Sequence, residues 1–338
     1  MKIAMLAPIA WATPPAAYGP WEQVTSHLTE GLVQRGIDVT LFATATSKTA
    51  AKLVATVAAG YAERAGQDPK VLEYLHISQV MGVAHEFDLV HNQFDFMPLG
   101  YGNLVDTPMV TTVHGFSSEQ IVPVYEKYND STDYVSISDA DRDDRIDYIS
   151  TVYNGVDTRQ FSFVDHPEDY LVYFGRIHPE KGAAEAIEIA QKSDMPLVMA
   201  GLVQDQAYFD ERIAPHIDGD RVKYLGNVGP DERNRILGNA VALLHPISFE
   251  EPFGLSVAES MMTGTPVIAF NRGSMPELIE HGKTGYLTED VDGAVDLVSA
   301  CGDLNRWHVA EVARDCFSVE RMVDGYISVY RTILDRKP

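Results

Sequence analysis

Short apolar runs alternate with amphipathic stretches along most of the chain. Residues 2–7 form an apolar run that enters a loop rich in Pro, Ala and Tyr over 8–20. Trp21, Val24, Leu28 and Leu32 then fall at helical spacing on one face. Pro20 suits the first helical position and Gly36 suits the stop after Arg35. Residues 37–43 read as a second buried strand, which completes a βαβ unit of the kind that builds parallel sheets. Further on, 71–85 has a helical pattern, and 88–91, 109–114, 134–137 and 149–152 read as strands.

The second half repeats the alternation more cleanly. Strands are expected at 170–174, 196–200, 222–225, 241–245 and 266–270, with helices at 183–191 and 231–237 between them. The last stretch, 319–334, is helical with no strand after it, so it is free to pack back on the first half. Asn154-Gly155-Val156-Asp157 is turn chemistry. The expected division is a first domain over 1–157, a linker to about Pro167, a second domain over 168–316 and a returning segment over 317–338. A chain of 338 residues fits two cores of about 150 residues each.

Composition narrows the class. An apolar fraction of 45% and a charged fraction of 22% are those of a globular protein. No run approaches the length of a membrane span, and residues 1–8 lack the basic start and cleavage site of a signal peptide. Cys301 and Cys316 have no framework or metal-ligand spacing and read as reduced. A cytoplasmic location is the expectation. The net charge of −23 disfavours nucleic acid and anionic lipid as partners, and it makes each cation in a glycine-rich loop more informative.

The densest chemistry lies in Phe249-Glu250-Glu251-Pro252-Phe253-Gly254-Leu255-Ser256-Val257-Ala258-Glu259, which follows a strand and opens a helix. A helix N-terminus offers unpaired N–H groups and the positive end of the dipole to polar oxygens. Glu251 and Glu259 are eight positions apart, a rise of roughly 12 Å if helical throughout. Carboxylates so separated suit the two ends of an elongated polyhydroxylated ligand better than a single bond. The plain alternative is a loop glutamate and a solvated helix glutamate.

A second group is Phe174-Gly175-Arg176 with Lys181-Gly182 five residues on. Arg176 stands at the carboxyl end of a strand, where ligands bind in open α/β sheets. It and Lys181 suit a diphosphate, or else make surface ion pairs. In the first half, Tyr18-Gly19-Pro20 precedes a helix, and His114 ends a strand where it suits a sugar hydroxyl or a phosphate oxygen. Asn92, in His91-Asn92-Gln93-Phe94-Asp95, suits an acceptor sugar or loop packing. The pairs Asp139/Asp141 and Asp290/Asp292 mimic a metal-binding D-x-D but read as solvated surface. No G-x-G-x-x-G follows the first strand and no P-loop appears, which disfavours nicotinamide chemistry and NTP hydrolysis, and there is no nucleophile elbow or zinc spacing.

With these motifs the chain resembles the family 4 glycosyltransferases. The resemblance runs from the first βαβ unit through Ser136-Ile137-Ser138, Asn154-Gly155-Val156-Asp157 and Gly175-Arg176…Glu180-Lys181-Gly182 to the E-x₇-E pair. It implies a GT-B fold, α/β, with two facing Rossmann-like domains and a nucleotide-diphosphate sugar in the cleft between them. By resemblance, Glu251 binds hexose hydroxyls beside the backbone of Phe253, Gly254 and Leu255. Glu259 holds the ribose, while Arg176 and Lys181 hold the diphosphate. Gly19 and His114 complete the set from the first domain, with Asn154 on the donor side. The loops at Gly201 and Asn227–Val228 reach the base, and Tyr18 and Asn92 belong to the acceptor. One departure is Gly19-Pro20 where many members have Gly-Gly, since proline removes an N–H donor.

The implied reaction is a metal-independent, cofactor-free, retaining transfer of a hexose from a UDP-glucose or GDP-mannose type donor to a hydroxyl. Neither glutamate is obviously placed as a nucleophile, which points to front-face substitution. A nucleotide-sugar 2-epimerase of the same fold and a non-catalytic nucleotide-sugar-binding protein are the alternatives. Nucleotide, hexose, acceptor and oligomeric state are not legible in these residues.

Overall fold

The structure is a computed structural model that describes residues 1–16, 18–116 and 119–336. The final two residues of the expected returning segment lie outside the described ones. The chain divides into two compact units. Unit 1 is Met1–Gly155 with Val319–Pro338, and unit 2 is Val156–Ser318. Residues 158–167, expected as a linker, therefore belong to unit 2, and the last helix belongs to unit 1.

Unit 1 is built on β1 (Lys2–Leu6), β2 (Asp38–Thr44), β3 (Lys52–Val57), β4 (Leu89–Asn92), β5 (Met109–Val113), β6 (Asp133–Ser136) and β7 (Tyr148–Thr151). These form one sheet in the order β3-β2-β1-β4-β5-β6-β7, all parallel. β1 and β2 are largely apolar because parallel strands are covered on both faces, while β4 and β5 also carry His91, Asn92, Thr111 and Thr112. Helices α1 (Pro20–Gln34), α2 (Pro69–Gly82) and α3 (Val122–Lys127) connect them. On α1, Val24, Leu28 and Leu32 are buried as their spacing predicts, while Trp21 is half-buried.

The C-terminal helix, Val319–Asp335, packs on α1. A Cβ on Gly31 would stand 2.4 Å from Val323 Cγ2, so the two helices meet closely at that glycine. Arg35, at the end of α1, is ion-paired with Asp324. The helix also carries Tyr326 and Tyr330 to the sheet, where Tyr330 Oη lies 2.6 Å from His91 Nδ1 and Tyr326 Oη 2.7 Å from Thr112 Oγ1.

Unit 2 contains β8 (Leu171–Phe174), β9 (Leu197–Ala200), β10 (Val222–Tyr224), β11 (Ala242–His245), β12 (Val267–Phe270) and β13 (Gly285–Thr288). Their order is β10-β9-β8-β11-β12-β13, again all parallel. Renumbered within the unit this is 3-2-1-4-5-6, the doubly wound order. The strand order reverses between β8 and β11, and ligands of such sheets bind beyond the strand ends at that point. Helices α4 (Ala183–Lys192), α5 (Pro230–Gly238), α6 (Leu255–Met262), α7 (Val291–Val298) and α8 (Arg306–Phe317) flank the sheet. No helix among the described residues is long and apolar enough to cross a membrane.

Candidate functional site

In unit 2, both motif segments leave the strands that flank the switch point. Gly175 and Arg176 follow β8, and Phe249 to Gly254 follow β11. Gly182, just before α4, has φ +72°, and a Cβ there would sit 1.9 Å from the Pro246 carbonyl oxygen. Only glycine allows that approach. Ser248 N–H also donates to the Glu180 carbonyl at 2.9 Å. These two contacts bring the loop carrying Lys181 against the loop carrying Glu251.

Lys181 Nζ lies 2.5 Å from Glu251 Oε2 and 4.4 Å above the Phe249 ring. His245, the last residue of β11, places Nε2 at 3.6 Å from the same oxygen. That is too long for a hydrogen bond, and His245 Nε2 is buried with no other partner. Burial works against the Glu251 charge, but His245 and Lys181 outweigh it and hold the carboxyl at about 2. Burial also lowers the Lys181 ammonium, with Glu251 pulling back the other way. Lys181, expected at a diphosphate, is paired here with Glu251, because the two closely packed loops bring opposite charges into contact. Arg176 is half-buried and hydrogen-bonds the Gln204 side chain.

Gly254 caps α6 with φ +90°, in a place where a Cβ would meet Met275 Cε at 2.7 Å. The Leu255 and Ser256 N–H groups open that helix ahead of the first intrahelical bond, which runs from Val257 N to the Gly254 carbonyl. Phe253 is buried, and its carbonyl accepts from Ser274 Oγ at 2.7 Å, so that part of the expected backbone surface is used internally. The same holds at Gly201, whose N–H donates to Gly226 and whose carbonyl accepts from the Tyr224 hydroxyl. Val228 is half-buried in the loop before α5.

Glu259 lies on α6 and is buried. Arg233 of α5 meets it, Nη1 to Oε1, at 2.9 Å. Burial raises the Glu259 carboxyl, with Arg233 opposing. The two glutamates of the E-x₇-E pair are thus each matched with a separate cation. Arg233 and His245 escaped the sequence reading. Neither lies in a motif, although His245 shares the strand-end position that singled out His114.

Unit 1 has its own polar cluster at the carboxyl ends of β1, β4 and β5. His114 is stacked on Trp21, with ring centroids 5.4 Å apart, and its Nε2 is 2.6 Å from Gln93 Oε1. Gln93 Nε2 lies 2.8 Å from His91 Nε2 and 3.1 Å from Thr112 Oγ1. Burial pushes His114 down to about 3, so the ring is neutral. Gly19 is buried at the head of α1, and Tyr18 lies edge-on to Trp11.

Asn92 does not suit an acceptor. It is fully buried, donating to the Asp95 carbonyl and Thr111 Oγ1 while its oxygen caps the Phe94 N–H. The turn after β4 consumes its hydrogen bonds. Asn154 belongs to unit 1 and is buried, with Oδ1 unpartnered. Glu22, in the first turn of α1, was missed. It is buried, accepts from the Trp11 N–H at 3.1 Å, and burial raises it to about 7. The acidic pairs serve local structure: Asp290 caps α7 through the Gly293 N–H, Asp292 pairs with Lys192, and Asp139 accepts from Thr151. Cys301 is buried and Cys316 exposed.

Two doubly wound parallel sheets, with an ionised carboxylate at the switch point of the second, define a GT-B type α/β protein. A family model described as Glycosyltransferase Family 4 matches residues 21–160, and one described as Glycosyl transferases group 1 matches residues 157–300. The chain belongs to the family 4 glycosyltransferases. It is 25% identical over 232 residues to a glycogen synthase of Mycobacterium tuberculosis, a match covering 60% of this chain and 54% of that protein. The chain spans about half the length of the curated relatives it matches. Sucrose-phosphate synthase of Thermosynechococcus elongatus has the same fold, with a TM-score of 0.79, 17% identity and 99% of each chain covered. So does Anabaena HepE, solved with UDP-glucose, with a TM-score of 0.72, 19% identity and coverage of 98% and 100%.

Proposed function

We propose that the chain transfers a hexose from a nucleotide-diphosphate sugar to a hydroxyl acceptor with retention at the anomeric carbon and without a metal. The observation that carries this reading is Glu251, held ionised between Lys181 and His245 at the head of α6. A buried anion beside a helix N-terminus is arranged for hydroxyls on one side and phosphate on the other. The HepE complex with UDP-glucose supports a nucleotide-sugar donor, with UDP-glucose and GDP-mannose types as the candidates.

On donor binding, Glu251 turns to hexose hydroxyls, and Lys181 is shared with the diphosphate alongside Arg176. The bond from the anomeric carbon to the phosphate oxygen then breaks as the bond to the acceptor oxygen forms on the same face. The acceptor proton passes to the leaving phosphate. The protein's part is to stabilise charge on that phosphate with Arg176, Lys181 and the N–H groups of Leu255 and Ser256. A neutral His114 suits a hydroxyl.

A thermal-shift panel of UDP, GDP and ADP sugars tests the donor, because a ligand that binds only the folded state raises its stability. Anomeric coupling in the product, read by NMR with and without EDTA, tests retention and metal independence. Lys181→Ala should lower turnover by about two orders of magnitude or more, as losing one oxyanion donor does elsewhere. Near-normal turnover in that variant refutes the role given to Lys181.

A further inference from the structure

We infer that Arg233 is a positioning residue that prepares Glu259 to recognise the ribose of the donor. The inference rests on the reading that Glu259 meets the ribose, and it adds what makes the carboxylate able to do so.

The geometry starts with an unusual placement. Glu259 is buried on α6, with its side chain 11% exposed, where a lone carboxylate would be expected to take up a proton. A protonated carboxyl is a poor acceptor for two vicinal hydroxyls. Arg233 supplies the missing charge through Nη1, at 2.9 Å from Oε1.

Arg233 is itself fixed from other directions. Its Nη2 donates to Gln160 Oε1 at 3.2 Å, and its guanidinium lies over the Phe161 ring with Cζ 5.2 Å from the centroid. A planar fork held by an aromatic face and an amide has little freedom to swing. Glu259 inherits that rigidity. Arg233 Nε is buried with no partner, so the guanidinium keeps its place against α6 without its full complement of hydrogen bonds. The contacts to Glu259, Gln160 and Phe161 are what hold it there.

The test uses the full chain and compares two ligands on each variant. Binding of UDP and of 2′,3′-dideoxy-UDP is measured by calorimetry, or the guanosine pair if the sugar panel selects GDP. Wild type should prefer the ribose form by about tenfold or more, the scale of a hydrogen bond to a charged group. Glu259→Gln and Arg233→Leu should each reduce that preference to about twofold or less, and the double variant should lose no more than either alone. A merely structural Arg233 would lower the unfolding temperature yet leave the ratio intact, because both ligands meet the same folded protein.

If Glu259→Gln removes the preference while Arg233→Leu keeps it, the inference fails and the ribose role of Glu259 stands. If wild type shows no preference, or Glu259→Gln retains it, the ribose role falls and takes the inference with it. Should Arg233→Leu give no folded protein, Arg233→Gln keeps an amide donor without the charge and is judged by the same ratio.

Discussion

Glu22 shows how one buried side chain shapes the loop after β1. Its carboxyl accepts from the Trp11 N–H in the first turn of α1, and burial raises it to about 7 against the pull of the N–H groups around it. With a folded value above the ordinary one, the native protein binds this proton more tightly than the unfolded chain does. The sign follows: stability from this group is full below about 4.5 and is lost as pH rises through about 7. Glu22→Gln keeps an acceptor for Trp11 and removes the titration. It should stabilise the protein above pH 7 by up to about 3 kcal/mol and change little at pH 5. Urea unfolding of both proteins at pH 5 and pH 8.5 measures this, and an equal gain at both values contradicts it.

At the scale of elements, the site depends on how two helices begin. α4 starts from Gly182 in the left-handed region against the Pro246 carbonyl, and α6 starts from Gly254 in the same region against Met275. Each start sets the direction of a loop that carries charge, Lys181 in one case and Glu251 in the other. Gly182→Ala should cost about 1–2 kcal/mol for the backbone alone, with the clash added to it, and lower the melting temperature by about 5 °C. It should also weaken nucleotide-sugar binding, since Lys181 moves with the loop. Gly302→Ala, where a Cβ meets nothing within 4 Å, is the control for both readings.

Over the whole molecule, titration is distributed unevenly. His76, His91 and His114 all lie in unit 1, and burial lowers them to about 4, 3 and 3. Each is neutral when folded and takes up a proton when unfolded, so its contribution is present above about 6.5 and is lost as pH falls toward the folded value. Between pH 6.5 and 5 the three act together, and Glu22 opposes them with one proton. The net loss should be on the order of 3 kcal/mol. Denaturant unfolding should therefore show a steep fall in stability over that interval, with the amides of β4 and β5 losing hydrogen-exchange protection ahead of those in β8 and β11. Uniform protection loss across both units would contradict it.

Much of this protein was legible along the chain, and the reason is physical. Parallel strands buried on both faces must be continuous apolar runs, so β1, β8, β11 and β12 stand out without their neighbours. Helix starts need Pro20 and Gly254 at particular positions, and the segment from Phe249 to Glu259 is dense enough to mark a site and a family. Of the edge strands, β7 and β10 were legible but β3 and β13 were not. β3 is half-exposed and β13 begins on a glycine and holds a threonine, so only pairing with β2 and β12 makes them strands. Charge pairing was least accessible. Lys181 with Glu251 and Arg233 with Glu259 are 70 and 26 positions apart, and no local rule joins them. Asn92 looks like a site residue in the chain and is a turn residue in space. Residue type and spacing determined which groups the protein has for its chemistry. Tertiary packing alone decided which stay charged and what each one faces, because burial and proximity set ionisation.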